Sequence, residues 1–185
     1  IIDAQKWVPQ HRERIFFIGV KEKFNSDIDC EFIENKIFPN EPSIPAKKLS
    51  EILIKNPPAK YTVPQGTWRA LEKHRKRHKN KGNGFGYSRI DPPFDNKITR
   101  TLSARYYKDG AEILIGNRGK NKRPRRLTPL ECLRLQGFPE RTEIFFNGQM
   151  DQPVSDHQAY KQMGNAVAVP LIYDIAENIN KYLFK

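Results

Sequence analysis

The feature that most limits the fold is a short, unbroken apolar run at residues 15–20, which reads Ile-Phe-Phe-Ile-Gly-Val. The run is rich in aromatic and β-branched residues and has no alternating polar positions. Such a run is typical of a strand that is covered on both faces, as in the parallel sheet of an α/β protein. The sequence therefore predicts a strand that is covered on both faces and needs neighbouring strands that lie elsewhere.

The size and composition fit one domain, or one and a half. The chain has 185 residues, of which 37% are hydrophobic, and this is enough for a core. It has no long apolar run and no basic-then-apolar leader, so we expect a soluble, cytoplasmic protein without a membrane span. The chain starts with Ile1 rather than Met and its first residues already resemble the interior of a domain. We therefore expect an excerpt of a larger protein.

The excess positive charge is concentrated in two segments. The net charge is +12, and residues 68–82 and 117–126 each contribute +6, so the remainder of the chain is neutral. A single basic segment is usually a solvated face, but two that account for all the excess favour a polyanion, and nucleic acid above all. The two cysteines, Cys30 and Cys132, do not form a CxxC pair, which argues against a disulfide framework and against a metal site.

One helix can be placed closely from local signals. Thr128 as N-cap, Pro129 at the first helical position and Glu131 three residues after the cap form a capping box, and Gly137 suits the C-terminal stop. Cys132 fits a hydrophobic staple with the residue before the cap, so we interpret it as a packing residue rather than a nucleophile.

Other elements follow from weaker signals. Thr67 is the predicted cap of a basic helix that runs to about residue 79 and stops at Gly82, with Trp68 and Leu71 facing inward. Residues 38–64 hold six prolines and predict a linker around a short apolar turn. Ser155 predicts a second capped helix, which breaks at residues 164–165 before Pro170 restarts another, and the last helix has one apolar face.

The middle of the chain predicts a small, irregular β unit. Residues 82–87 contain three glycines and predict a loop. Residues 99–102 and 111–115 predict two strands that flank residues 103–110.

Three separated stretches resemble the last three conserved motifs of the cytosine-5 DNA methyltransferases, in the same order. They are residues 8–14 (Val-Pro-Gln-His-Arg-Glu-Arg), residues 126–131 with 134–139 (Arg-Leu-Gln-Gly-Phe-Pro), and residues 164–170 (Gly-Asn-Ala-Val-Ala-Val-Pro). The family places its variable target-recognition domain between the first and second of these motifs. Residues 82–87 and 99–115 resemble in particular the Dcm-type bacterial enzymes, whose sites are of the CC(A/T)GG kind.

The resemblance implies a specific chemistry. The family flips a cytosine out of the duplex, adds a cysteine thiolate to C6 and transfers a methyl group from S-adenosylmethionine to C5. It implies that Arg14 reaches the cytosine O2, that Arg12 helps to fix the target nucleotide and the nucleophile, and that Gln10 orders the turn. Arg12 and Arg14 could otherwise be a surface pair with Glu13.

The third motif is implied to lie at the cofactor. Similarity to the family places Gly164, Asn165, Ala166 and Val167 at the lip of the S-adenosylmethionine pocket, with Phe138 packing nearby. Many members carry Ser where this chain has Ala166, so we expect contact there to run through the backbone. The alternative is a plain turn between two helices.

The candidate DNA-binding residues lie between the motifs. Glycines 82, 84 and 86 let the main chain approach DNA, and Asn83 can probe the space near the evicted base. Arg105 or Lys108 could bind guanine in the major groove, whereas the adjacent tyrosines could equally be core. The basic segments are expected to sit against phosphate. The full set is Gly82, Asn83, Gly84, Ser103, Arg105, Tyr106, Lys108, Arg75, Arg77 and Arg123.

The family's earlier motifs are not found in the sequence. Its glycine loop for S-adenosylmethionine, its Pro-Cys nucleophile and its Glu-Asn-Val acid would all precede residue 1, and neither Cys30 nor Cys132 follows a proline. We therefore expect the chain not to methylate DNA alone and the cofactor to be bound mainly by residues outside it. The N-terminal catalytic half of the same protein or a partner subunit of a split enzyme would supply them. A non-catalytic DNA-binding module is the remaining alternative.

The resulting expectation is a partial S-adenosylmethionine-dependent methyltransferase fold, the end of a Rossmann-like α/β sheet with a small, loop-rich α+β recognition domain, in a bacterial enzyme. Residues 1–45 would be the edge of the catalytic domain, 46–149 the recognition domain with its last helix at 128–137, and 150–185 the closing helices. Exposed apolar surface is expected where the neighbouring strands are missing.

Overall fold

The structure, a computed structural model, describes residues 1–21, 28–117, 123–140, 142 and 154–184. It contains short strands and six α-helices in this described part. The strands are β1 (Ile2–Asp3), β2 (Glu13–Arg14), β3 (Arg89–Ile90), β4 (Leu114–Ile115) and β5 (Arg125–Arg126). The helices are α1 (Cys30–Phe32), α2 (Leu49–Ile52), α3 (Gln65–Asn80), α4 (Pro129–Leu135), α5 (Asp156–Asn165) and α6 (Val169–Leu183).

The larger core packs α2, α4 and α5 against the segment between β3 and β4. Tyr106 lies at its centre, is fully buried, and meets Tyr160 of α5 edge to face with the ring centroids 5.3 Å apart. Its hydroxyl donates to the carbonyl of Ile113 at 2.6 Å and accepts from the backbone N–H of Leu127 at 2.8 Å. Burial raises the pKa of Tyr106 well above its usual value, so the hydroxyl stays neutral.

Helix α4 forms as its sequence predicts. The Thr128 hydroxyl accepts from the backbone N–H of Glu131 at 3.1 Å, and the Glu131 carboxylate accepts from the N–H of Thr128 at 2.7 Å. Gly137 ends the helix with φ +75°, a conformation that glycine adopts without strain. Cys132 is fully buried in the larger core, which confirms its packing role.

A second core joins the N-terminal segment to α6. It contains Trp7 and Val8 with Leu171 and Ile175 of α6, as the apolar face of the last helix predicts, although Ala176, on the same predicted face, is exposed. The Trp7 indole N–H donates to Asp174 at 2.7 Å, an anchor that sequence inspection missed.

Residues 15–20 do not form the predicted strand. No strand in the described part of the chain pairs with them, and only β2, just before them, pairs with β1. The run shows alternating burial: Phe16 and Ile18 pack on the second core, while Ile15 and Phe17 are 61% and 91% exposed. A strand buried on both faces needs partners, and here one face stays uncovered, which gives the exposed apolar surface that we expected.

The middle region is also less regular than predicted. Residues 99–102 do not form a strand and contribute one isolated parallel β-bridge, between Thr99 and Gln10. In this bridge the N–H of Thr99 donates to Pro9 and its carbonyl accepts from His11, both at 2.9 Å. Of residues 111–115 only β4 is extended. It pairs in parallel with β3 and antiparallel with β5.

The basic helix α3 starts earlier than predicted. Pro64 is its N-cap, so Thr67 lies in the first turn and the predicted cap is wrong. Gly82, with φ +72°, follows its C-terminal end as expected. Trp68 is buried and packs on Tyr87, with ring centroids 4.8 Å apart, which leaves the charged side chains of α3 outside.

No helix within the described ranges is both long and apolar enough to cross a membrane.

Candidate functional site

Arg12 is an interior residue rather than half of a surface pair. Arg12 is 1% exposed to solvent. One amino group donates to the carbonyl of Leu102 at 3.1 Å, and the other donates to the carbonyls of Gly164, at 2.9 Å, and Ala166. Burial, with a smaller effect from the charge of Arg14, lowers the pKa of Arg12 to about 10, so the guanidinium remains charged at neutral pH.

Gln10 completes this arrangement. It is fully buried, and its side-chain carbonyl accepts from the N–H of Leu102 at 2.7 Å and from Arg12 at 3.5 Å. Gln10 and Arg12 together hold both the N–H and the carbonyl of Leu102. We call this cluster, Gln10, Arg12, residues 102–104 and residues 164–166, the Arg12 junction.

The third motif contributes to the junction through the backbone of Gly164, which has no side chain. A Cβ on Gly164 would lie 2.3 Å from the backbone of Ser103 and Ala104, so only glycine fits there. Beyond it, the side chains of Asn165 and Val167 are exposed, Val167 at 42%. The junction therefore brings the first and third motifs together and leaves two side chains of the third motif open to a ligand.

Arg14 is placed differently from Arg12. It lies on β2, opposite Ile2 of β1, and is half-buried. Its guanidinium donates to the adjacent carbonyl of Glu13 at 2.6 Å. Because that is a local bond at the surface, Arg14 can turn towards a ligand without breaking a core contact.

Asp3 and His11 pin the turn that carries these arginines. The Asp3 carboxylate contacts the His11 ring at 2.8 Å and accepts from the N–H of Arg12 at 2.8 Å and of Gln5 at 3.1 Å. Partial burial pulls the pKa of Asp3 upward, but these hydrogen bonds outweigh it and hold the pKa below its ordinary value.

Phe138 lies apart from the other predicted cofactor residues. It lines an apolar cleft of about 270 Å³ together with Val8, Val169 and Pro170. None of residues 164–167 lines this cleft. Phe138 therefore shares a cleft with the end of the third motif, Val169 and Pro170, but not with residues 164–167.

The glycine loop after α3 forms as predicted and packs closely on that helix. A Cβ on Gly86 would lie 2.9 Å from the Arg75 side chain, whose guanidinium sits 4.6 Å from the Tyr87 ring centre. Asn83 contacts the ring of His78 at 2.6 Å. Phe85 is 68% exposed at the loop surface, an aromatic side chain that sequence inspection did not single out.

The turn at residues 104–109 exposes some of the side chains that were predicted to read bases and buries another. Arg105 and Lys108 are exposed, whereas Tyr106 is fully buried, so Tyr106 is core and not a DNA contact. Ser103 also serves the turn, because its hydroxyl accepts from the N–H of Arg105 at 3.1 Å and donates to Glu112.

The described arginines of the second basic segment, Arg123, Arg125 and Arg126, are buried or half-buried. Arg125 is 6% exposed and forms an ion pair with fully buried Glu131, which corrects its assignment to a phosphate-binding stretch. Arg126 donates to the carbonyl of Tyr107 at 3.0 Å and Arg123 to that of Val63 at 2.9 Å. The basic residues at 118, 120 and 122 lie outside the described residues. On α3, by contrast, Arg75 and Arg77 are both exposed.

Comparison with known sequences decides the family. Residues 1–181 match the sequence profile described as C-5 cytosine-specific DNA methylase. The chain belongs to this family of DNA methylases.

The methylase chain is also similar to individual members. It is 41% identical over 193 residues to a DNA-cytosine methyltransferase of Escherichia coli strain K12, covering 96% of this chain and 39% of that protein. It is 42% identical over 176 residues to the type II methyltransferase M.DsaV of Dactylococcopsis salina, covering 95% and 45%. The methylase chain thus spans about two fifths to one half of these relatives.

Solved structures show a shared fold. The S. pombe Dnmt2 methyltransferase superposes with a TM-score of 0.62 at 15% identity, covering 97% of this chain and 56% of that one. The Entamoeba histolytica methyltransferase EhMeth gives 0.53 at 22%, covering 78% and 44%. The mixed α/β architecture of this methylase chain is therefore that of part of a methyltransferase.

Sequence inspection missed Gln136, a polar residue beside the candidate site. Gln136 is fully buried and donates to the carbonyl of Met163 at 2.8 Å, next to the third motif. Among the described residues, one polar atom each of Gln10, Arg12, Glu112 and Gln136 is buried without a hydrogen-bond partner. Gln136 lies inside a motif that the sequence already indicated, so its position was signalled although its partner was not.

Proposed function

We propose that this chain is the DNA-recognition and C-terminal part of a DNA (cytosine-5)-methyltransferase. The enzyme would transfer the methyl group of S-adenosylmethionine to C5 of a flipped cytosine in a short duplex site of the CC(A/T)GG kind. The observation that carries the proposal is the Arg12 junction, because it joins two of the family's motifs to the segment that precedes the exposed Arg105.

Arg14 is the proposed contact to the flipped base. An arginine presents a rigid and permanently charged fork of donors, which suits the O2 of a cytosine held in a closed pocket. Within the described part of the chain, its guanidinium donates to the carbonyl of Glu13 alone, so it has donors to spare. Arg12 lacks that freedom, and we therefore propose that Arg12 and Gln10 order this turn rather than touch the nucleotide.

Asn165 and Val167 are the proposed contacts of this chain to S-adenosylmethionine, which when bound would supply the methyl group. Both side chains are exposed beside the junction, so they are free to meet a ligand. Gly164 and Ala166 already give their carbonyls to Arg12 and would serve by shaping the turn. Phe138 lies in a separate cleft, so we leave it out of the cofactor site.

DNA would lie against α3, the glycine loop and the turn after Ser103. Arg75 and Arg77 are exposed on α3 and would contact phosphate, which positions the duplex, and Arg123 would border the same surface. Arg105 and Lys108 would read base edges in the major groove. Gly82, Asn83 and Gly84 would approach the evicted base.

The remaining parts of the enzyme would come from outside this chain. We assign residues 1–45 and 150–185 to the catalytic domain and 46–149 to the recognition domain. The nucleophilic cysteine, the acid and most of the cofactor site would be supplied by an N-terminal catalytic half, on the same polypeptide or on a partner subunit.

Complementation tests the proposal. The chain is mixed with an N-terminal half that carries the earlier motifs, and transfer of labelled methyl groups to duplex DNA with CC(A/T)GG sites is measured, with a duplex lacking the site as the control. We expect transfer from the mixture and none from either half alone. A folded pair that transfers nothing contradicts the enzyme assignment, and the chain would then be a DNA-binding module if it still binds duplex DNA.

A further inference from the structure

The Arg12 guanidinium connects two segments that the proposed function gives to different ligands. Leu102, which it holds at 3.1 Å, precedes the turn that presents Arg105 to DNA. Gly164 and Ala166, which it holds with its other amino group, border the residues proposed to meet S-adenosylmethionine. Arg12 itself is 1% exposed, so a nucleotide cannot reach its two terminal amino groups without displacing three backbone carbonyls.

We propose that Arg12 is a positioning residue that fixes the recognition turn against the cofactor lip, and that it thereby couples DNA binding to cofactor binding. This inference rests on the proposed function, which assigns residues 164–167 to the cofactor and residues 103–108 to DNA. Arg12 acts through the backbone of Leu102 and Ala166, and it touches neither ligand.

The contacts around Arg12 leave little room for the two segments to move apart or together. The N–H of Leu102 is held by Gln10 at 2.7 Å while its carbonyl is held by Arg12. On the other side, the Cα of Gly164 lies so close to Ser103 and Ala104 that not even a Cβ fits between them. Because packed interiors transmit small displacements, a shift of the cofactor lip must also shift residues 102–104.

From residues 102–104 the connection continues to a base-reading side chain. The Ser103 hydroxyl accepts from the N–H of Arg105 at 3.1 Å, so the backbone at Arg105 is set by its neighbour in the junction. The path from lip to recognition turn therefore consists of named hydrogen bonds and one close backbone contact.

The geometry requires an arginine. Its planar fork reaches the carbonyls of Leu102 and Gly164 with two different nitrogens, whereas a lysine has one ammonium and cannot span both. Arg12→Lys therefore keeps the charge and removes the connection.

The test uses the complemented assembly and measures two equilibria. The affinity for duplex DNA is determined with and without S-adenosylhomocysteine, and the ratio of the two values is the coupling. We expect the cofactor product to change DNA affinity about fivefold or more in the unsubstituted assembly, and Arg12→Lys to bring the ratio to nearly one. The KM values for DNA and for S-adenosylmethionine should both rise about tenfold. This rise corresponds to the free energy of one charge-assisted hydrogen bond.

Two variants separate positioning from stability. Arg100→Lys makes the same exchange at an exposed arginine that donates to Gly86 at 3.2 Å, outside the junction. Tyr160→Phe removes a buried hydrogen bond from α5 to the carbonyl of Leu127 and leaves the junction intact. Both should keep the coupling, even where Tyr160→Phe lowers Tm as much as Arg12→Lys.

A third variant approaches the junction from α5. Gly164→Ala must push residues 103–104 away, so it should also reduce the coupling, and it serves if Arg12→Lys does not fold. A coupling of one in the unsubstituted assembly, or an equal coupling in all variants, overturns the positioning role. A failure of methyl transfer in an unsubstituted assembly that still couples the two ligands contradicts the proposed function instead.

Discussion

Arg125 and Glu131 face each other as a bidentate ion pair inside the larger core, with both nitrogen–oxygen distances at 2.7 Å. The carboxylate accepts two further bonds, from the backbone N–H groups of Ile54 and Thr128. Glu131 therefore ties β5, the segment after α2 and the start of α4 to one another. A residue that the sequence identifies as part of a capping box is also the centre of a four-bond network.

Removing the charge of Glu131 should destabilise the chain strongly. Glu131→Gln leaves the buried guanidinium of Arg125 without a counter-ion, and breaking such a pair costs about 3–5 kcal/mol. Chemical unfolding followed by circular dichroism measures this. Glu140→Gln is the matched control, because Glu140 pairs with Lys47 at the surface with 80% of its side chain exposed, and it should cost less than about 1 kcal/mol. Similar losses for both variants would contradict the structural role of the buried pair.

Arg14→Ala should stop methyl transfer while sparing DNA binding. The loss of a donor that stabilises the reacting base should lower the rate of the complemented assembly by about 100-fold or more. The Kd for duplex DNA should stay within about threefold, because phosphate contacts elsewhere provide most of the affinity. Glu13→Ala serves as a neighbouring control and should keep most of the rate. If Arg14→Ala weakens binding as much as it slows transfer, Arg14 is not in the base pocket.

Replacing Arg105 and replacing Arg77 by alanine should change DNA binding in different ways. Arg105→Ala should relax site preference, with about 1–3 kcal/mol less discrimination between duplexes that differ at one base pair. Arg77→Ala should weaken all duplexes alike and reduce the slope of log affinity against log salt by about one. Competition binding over a salt series measures both quantities, and an unchanged preference in Arg105→Ala would remove that residue from base reading.

The Asp3 hydrogen bonds should make stability depend on pH. Because the folded state holds the pKa of Asp3 below its ordinary value of 3.8, its contribution is present above that value and is lost as the pH falls through the lowered pKa. Asp3→Asn should lower Tm at pH 7, by an amount that corresponds to on the order of 1 kcal/mol. The difference between the two proteins should shrink as the pH approaches 2. A difference that is constant from pH 7 to pH 2 would show that the charge of Asp3 does not matter.

Local signals predicted local structure well. Helix α4 has its cap, first-turn proline and terminal glycine where the sequence indicates, because each signal acts within a few residues. Residues 15–20 failed as a strand because a strand exists only when something pairs with it. The apolar pattern predicted burial on both faces, and this is wrong for the face of Ile15 and Phe17, because pairing is not a property of the run itself.

The sequence predicted which residues belong to the candidate site, but not which residues they bond to. The motifs identified Gln10 and Arg12, yet Arg12 bonds to residues 90 and 152 positions away in sequence, and no spacing rule reveals such contacts. Arg105 and Tyr106 are adjacent, but one is exposed and the other is fully buried. Their turn decides this, and its irregular backbone carries no periodic signal.

The core shared by Tyr106 and Tyr160 bears on the engineering of chimeric methylases. Exchanging residues 46–149 as a cassette would place Tyr106 from one parent against Tyr160 from the other, and would also part Leu102 from its own Arg12. In such hybrids, one core would be formed by side chains from two parents that do not match each other. A transplant that extends through α5 to residue 166 and carries its own Gln10–Arg12 segment would keep the donor's Arg12 contacts together.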